Sequence, residues 1–158
     1  MPDVRLGLGF DVHPAQLGRP LRLGGVEIPD APGLAGHSDG DVVCHAVADA
    51  LLGAAALGDI GRHFPDSDPG VAGIPGLDLL TRVVAMVADT GLGASSCDLT
   101  VIADRPTIAP HADEMRGNLA SVLGIGPERV SVKATRPEGL GLTGDGVGCI
   151  AVALLESR

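Results

Sequence analysis

The sequence predicts one α/β or α+β domain over residues 1–158, with a mixed sheet covered by helices on one face. Three observations carry this. Its 158 residues fit a single domain and leave little room for two. The periodic segments follow the order strand, hairpin, helix, helix, strand, helix, strand, strand, which is the order of a layered sheet-and-helix unit. No internal repeat or linker divides them. Phe10 and Phe64 are the only aromatics, so the core must be assembled from Ala, Val, Leu and Ile. Such small side chains bury modest area each, at about 25 cal/mol per Å², and oligomerisation is expected to add burial.

Val4 to Phe10 reads as a strand that delivers Asp11 and His13 at its end. Leu21-Arg22-Leu23 and Val26-Glu27-Ile28 flank Gly24-Gly25, a hairpin signal. Pro29 to Ala35 reads as a loop. Ser38 and Asp41 have the spacing of a capping box, which predicts a helix through Ala46, Ala50 and Ala54 to about Leu57, stopped at Gly58. Asp59 to Gly76 is the longest irregular stretch, and loops of that length are often functional. Leu79, Leu80, Val83, Val84 and Val87 give Leu77 to Thr90 a helical face. Asp98 to Ala103 is a strand, Asp113 to Leu123 a helix ended by Gly124, and Val130 to Ala134 and Gly148 to Leu155 are the last strands.

The net charge is −9. That argues against nucleic acid and anionic membrane surfaces as partners, since both reward basic patches. An acidic chain also repels a phosphate ligand at long range, unless a bound divalent cation reverses the local field. Cys44, Cys97 and Cys149 are odd in number and widely spaced, so no disulfide framework follows. Met1 leads straight into Pro2-Asp3-Val4-Arg5, without a signal segment. The near-apolar run Ala46 to Leu57 contains Asp49 and is too short to span a bilayer. A cytoplasmic, reducing location is expected.

Asp11 and His13 alternate by two at a strand end and point to one side; His45 is expected in the second turn of the capped helix. A carboxylate and two imidazoles suit Zn2+, with the fourth position open for a phosphate oxygen. Asp-x-His alone is more often a surface polar pair, and a lone helix histidine is more often partly buried structure. Cys44 lies about 100° around the helix from His45 and reads as core. Ser38 and Asp41 satisfy capping, which leaves His37 as the surplus residue at a helix N-terminus that favours anions. The acidic loop from Asp59 to Asp68 is as readily a solvated loop as a site.

Taken in order, the motifs are specific. They are Gly9-Phe10-Asp11-Val12-His13, Gly36-His37-Ser38-Asp39-Gly40-Asp41, His45, the run Ala48 to Gly61, and Phe64-Pro65-Asp66-Ser67-Asp68-Pro69. Arg105-Pro106, Pro110-His111, Val132-Lys133-Ala134-Thr135 and Glu138-Gly139-Leu140-Gly141 continue them. The chain resembles the 2-C-methyl-D-erythritol 2,4-cyclodiphosphate synthase family over essentially its whole length. The resemblance implies a homotrimer around a central β-prism, with active sites at subunit interfaces. It implies cyclisation of 4-diphosphocytidyl-2-C-methyl-D-erythritol 2-phosphate with release of CMP. It implies Zn2+ on Asp11, His13 and His45, and Mg2+ or Mn2+ on the substrate diphosphate with Glu138 as a ligand.

The resemblance also implies where a substrate would lie. Asp11, Val12, His13, His37 and Ser38 match phosphate-side positions. Asp59, Ile60 and Gly61 match the ribose side, and Phe64, Pro65, Asp66, Ser67 and Asp68 the erythritol side. Ala103, Asp104, Arg105, Pro106, Thr107, Ile108 and Ala109 match the cytidine segment. Thr135, Arg136, Pro137, Glu138 and Leu142 match the far wall. Attack by the substrate's own 2-phosphate requires no protein nucleophile, so positioning and charge neutralisation suffice. His37 and Arg136 stand at the positions of the catalytic, transition-state-stabilising pair.

Four positions depart from the usual pattern. Arg136 replaces a threonine; its fork suits phosphoryl oxygens but is bulkier. Pro137 removes a backbone N–H. Thr107 stands where lysine is frequent. Asp145 replaces an arginine of the trimer's central channel, where three carboxylates would repel an isoprenoid diphosphate. These departures keep a rival reading open, a zinc-holding trimer that binds a nucleotide or protein without turnover. A zinc hydrolase is a third reading, weakened by the lack of a general base beside the ligands.

Overall fold

The computed structural model describes residues 3–141 and 143–158. Strand β1 (Val4–His13) is followed by β2 (Ala15–Leu23) and β3 (Val26–Leu34), then helices α1 (Val42–Ala54), α2 (Ile60–His63) and α3 (Gly76–Ala88). Strand β4 (Leu92–Ala103), helix α4 (Ala112–Leu123), β5 (Val130–Thr135) and β6 (Val147–Ser157) complete the chain. The main sheet has the order β1-β6-β4-β5. It is mixed: β6 runs antiparallel to β1 and β4, while β4 and β5 are parallel and joined through α4. The fold is thus the α+β unit that the segment order predicts.

Helix α1 is the centre of the molecule. Eleven of its thirteen residues are buried, and it lies against β1 and β6 on one side and α3 on the other. The approach is close because β1 presents glycine. A Cβ on Gly7 would sit 1.9 Å from the Ala50 carbonyl oxygen, and one on Gly9 1.8 Å from that of Ala46. Small residues on both surfaces bring backbone against backbone. Neither phenylalanine is in the fully buried core; Phe10 is 52% exposed.

Alternation along β1 sends Leu6, Leu8, Phe10 and Val12 to the opposite face, where they meet solvent with Ile150 of β6. This bare face is apolar on the β1/β6 side. On the β4/β5 side it is polar, with Lys133 paired to Asp98. Among the described residues no helix is long and apolar enough to cross a membrane. Cys44, Cys97 and Cys149 are free and buried. Burial pushes each thiol up, that of Cys97 to about 12, which keeps them un-ionised.

Several boundaries differ from the sequence reading. Pro29 to Ala35 is no loop: β3 continues to Leu34, with Pro32 opposite Pro20 across an irregular register. A two-stranded hairpin tolerates prolines because each strand has a free edge. The capping box does not form. Gly40 has φ 74° and stands outside the helix, so the N-cap is Asp41, whose carboxylate accepts from Val43 N and Cys44 N. The helix ends at Ala54 rather than near Leu57, because Ala56 adopts φ 58° and Leu57 N–H returns to the Leu52 carbonyl. Strand β4 starts six residues earlier than Asp98; an irregularity between Ala94 and Ser96 hides its alternation.

Candidate active site

Asp11 and His13 leave β1 on the face that α1 covers, and His45 faces them from α1. With the helix beginning at Val42, His45 lies in its first turn rather than its second. Asp11 Oδ2 stands 3.0 Å from His13 Nε2 and 3.0 Å from His45 Nδ1. The three candidate ligand atoms lie within 4.8 Å of one another. One carboxylate oxygen and two imidazole nitrogens converging on one point form a donor set that fits Zn2+.

The electrostatics agree. Burial would raise the Asp11 carboxyl, but the two imidazoles outweigh it and hold the group at about 2. His13 is raised above the ordinary imidazole value, first by its hydrogen bond to Asp11 and against desolvation. A carboxylate held ionised beside an imidazole that it makes more basic marks a place where positive charge is stable. The other His45 nitrogen, Nε2, is 3.1 Å from Ser38 Oγ, a partner that orients the ring from behind.

Around this cluster is a cavity of about 220 Å³. His37, Ser38, Ile60, Gly61, Phe64 and Asp66, all foreseen, line it with the three ligands; Val71 and Leu79 close it and were not foreseen. His37 Nε2 faces Asp66 Oδ2 at 3.7 Å, both exposed. Asp59 caps α2 through Arg62 N, at 2.9 Å. Pro65 and Asp68 sit in the turn beyond, joined by Asp68 N–H to the Pro65 carbonyl with Ser67 between them, and Asp68 accepts from Gly70 N. None of Asp59, Pro65, Ser67 and Asp68 lines the cavity. Val12 turns to the bare sheet face instead.

The remaining predicted residues gather elsewhere, at the carboxyl ends of the parallel pair β4 and β5, where open sheets commonly take ligands. Ala103, Asp104, Pro106, Thr107, Ile108, Thr135 and Arg136 border a cavity of about 160 Å³. A larger one of about 590 Å³ adjoins it, where Asp104, Arg105 and Arg136 face Asp30, Ala31 and Pro32 of β3. Ala109 begins the short turn beyond. Pro137 is buried. Glu138 takes φ 52° and Gly139 φ 72° in a tight turn closed by Leu140 N–H on the Pro137 carbonyl. Glu138 does not join the Asp11 cluster. Asp145 borders a third cavity with Asp104 and Arg105. Leu142 lies outside the described residues. The cavity at Asp11 shares no residue with those at Arg136.

Sequence reasoning missed the residues that hold the site. Asp41 is fully buried and accepts from Gly24 N and Gly25 N as well as from the first turn of α1. One carboxylate therefore ties the hairpin turn to the helix that carries His45. Asp49 accepts from Ile60 N at 2.8 Å and anchors α2; a charged residue inside an apolar helix was its signal. Asp30, Ala31 and Pro32 had no signal, being hidden in a Pro/Gly-rich stretch.

The YgbB family model matches residues 4–156. Over 155 residues the chain is 54% identical to the 2-C-methyl-D-erythritol 2,4-cyclodiphosphate synthase of Symbiobacterium thermophilum, covering 97% of this chain and 99% of that enzyme. The bifunctional IspDF of Campylobacter jejuni superposes with a TM-score of 0.94 at 37% identity, over 100% of this chain and 43% of that one. A 2C-methyl-D-erythritol-2,4-cyclodiphosphate synthase in a CDP-bound form gives 0.88 at 37% identity, over 96% and 99%. With the Asp11–His13–His45 cluster placed and the likeness running from one end of the chain to the other, this protein belongs to the YgbB family of 2-C-methyl-D-erythritol 2,4-cyclodiphosphate synthases.

Proposed function

We propose that the chain, acting as one synthase domain over residues 1–158, converts 4-diphosphocytidyl-2-C-methyl-D-erythritol 2-phosphate to 2-C-methyl-D-erythritol 2,4-cyclodiphosphate and releases CMP. It is then a phosphorus–oxygen lyase of isoprenoid biosynthesis. The observation that carries this reading is the convergence of Asp11, His13 and His45 at a cavity walled by His37 and Ser38, in a chain 54% identical to a named synthase. The non-catalytic rival is not favoured by such relatives.

The residues divide the work. Asp11 Oδ2, His13 Nε2 and His45 Nδ1 would hold Zn2+, which would supply Lewis-acid charge for a phosphate oxygen. Glu138 would serve as a ligand to the Mg2+ or Mn2+ bound with the substrate diphosphate. His37 aims an imidazole at the phosphates, and Asp66 keeps it turned into the cavity. Asp59 to Gly61 and Phe64 to Asp68 bind the ribose and erythritol parts. Ala103 to Ala109 hold the cytidine, and on the far wall beside Thr135, Arg136 spreads its fork toward the diphosphate. Because the attacking phosphate belongs to the substrate, alignment does most of the catalysis.

The metal cavity and the cleft at Arg136 share no lining residue in one chain, which supports a complete site drawn from two copies. The apolar face of Leu6, Leu8, Phe10 and Ile150 supports a homotrimer built around it as a β-prism. Asp145 leaves the centre of that trimer unsuited to an isoprenoid diphosphate. Free, buried thiols suit a cytoplasmic setting. Incubation with the substrate, Zn2+ and Mg2+, followed by phosphorus NMR, should show CMP and a cyclic diphosphate in equal amounts. An uncyclised diphosphate, or no CMP, would overturn the reading.

A further inference from the structure

Arg19 is half-buried on β2 and forms no ion pair among the described residues. Its donors go to backbone instead: Nη1 to the Gly36 carbonyl at 2.9 Å and Nη2 to the Ser38 carbonyl. These acceptors are 17 and 19 residues away. Gly36 packs on His13, since a Cβ there would lie 3.4 Å from His13 Nδ1 and Cε1. Ser38 Oγ is 3.1 Å from His45 Nε2. From its other side the segment is pinned by Gly73 N–H on the His37 carbonyl and Gly76 N–H on Asp39.

We infer that Arg19 is a positioning residue of the metal centre: its planar fork holds the two carbonyls whose residues abut the two imidazoles. This rests on the metal reading above. With His45 Nδ1 turned to the metal, Nε2 carries the proton and donates it to Ser38 Oγ, which leaves that hydroxyl in place only while the Ser38 backbone is fixed. Two divergent carbonyls at the tips of one guanidinium are a contact that lysine cannot reproduce. The charge itself, unmatched by a carboxylate, also remains available beside a site for anionic groups. Arg22, on the same strand, makes only an exposed pair with Glu27.

Equilibrium binding of Zn2+, by competition with a chromophoric chelator, and the visible spectrum of the Co2+-loaded protein test this without any turnover. Arg19→Ala should lose about 10–100-fold in metal affinity, the range found when groups behind a ligand are removed, and should shift the Co2+ bands. Arg22→Gln should match the wild type in both. Arg19→Gln, which reaches only one carbonyl, provides the same comparison if the alanine variant does not fold. Wild-type affinity and an unchanged Co2+ spectrum in a folded Arg19 variant would overturn the inference alone. A wild type that binds neither ion would overturn the metal reading and this inference with it.

Discussion

Asp11, His13 and His45 stand on a strand end and on the first turn of a buried helix, while Asp104 to Ala109 and Thr135 to Glu138 ride on segments that leave the sheet. The first group is wired together before any ligand arrives, through direct hydrogen bonds and through Ser38 and Arg19. Around the second, one cavity of about 590 Å³ exceeds the 220 Å³ at the metal ligands, and Arg136 is exposed. The difference is one of preorganisation: a metal needs donors fixed in space beforehand, whereas the nucleotide proposed for the second region would bring its own shape to an open cleft.

Separating the two regions by mutation is the most direct way to break that contrast. His45→Ala should abolish stoichiometric zinc and lower kcat by on the order of 10³ or more, whereas Arg136→Ala should lower kcat/KM by about 10²–10³ with zinc affinity unchanged. Metal titration and steady-state kinetics on the same preparations check both, and zinc loss in the Arg136 variant would end the separation. Asp41→Ala should cost about 3 kcal/mol or more, because it removes a cap and leaves four N–H groups without their acceptor, three of them in buried hydrogen bonds. Urea unfolding measures it, and a loss below about 1 kcal/mol would mean the hairpin and α1 hold together by packing alone.

A smaller effect concerns pH. Zinc needs His13 neutral, and Asp11 raises the affinity of that ring for a proton. On acidification, zinc affinity should begin to fall above the ordinary imidazole value of about 6.5 and then drop by roughly a decade per pH unit. Asp11, held at about 2, stays ionised throughout. A flat affinity profile down to pH 6 would show that a proton on His13 does not compete with the metal.

How much of this was readable from the chain depends on sequence distance. Asp11 and His13 are two apart on one strand, and strand alternation alone puts them on one side; the expected capped helix supplied His45, and the resemblance then made the three a specific ligand set. The end of β4 was readable because Val101 and Ile102 precede a proline. The start of α1 was readable only to within a turn, because Ser38, Asp39 and Asp41 are all competent caps and the choice falls to Gly40 and the distant Gly24-Gly25 amides. Arg19 was invisible: nothing near it in sequence indicates that its partners are carbonyls across a hairpin. Asp30 to Pro32 was misread for a related reason, since prolines that end a central strand are tolerated in a hairpin.

The glycines at positions 7 and 9 give the candidate metal centre a dimension that no side chain sets. Where a strand and a helix are held apart by Leu or Phe, each substitution resets the gap. Here β1 and α1 meet backbone against backbone, so a Cβ on Gly7 or Gly9 would fall 1.9 or 1.8 Å from a carbonyl oxygen of the helix. A change of core side chain elsewhere leaves that contact in place, whereas a single methyl group on Gly9 has nowhere to go and would push Asp11 and His45 apart.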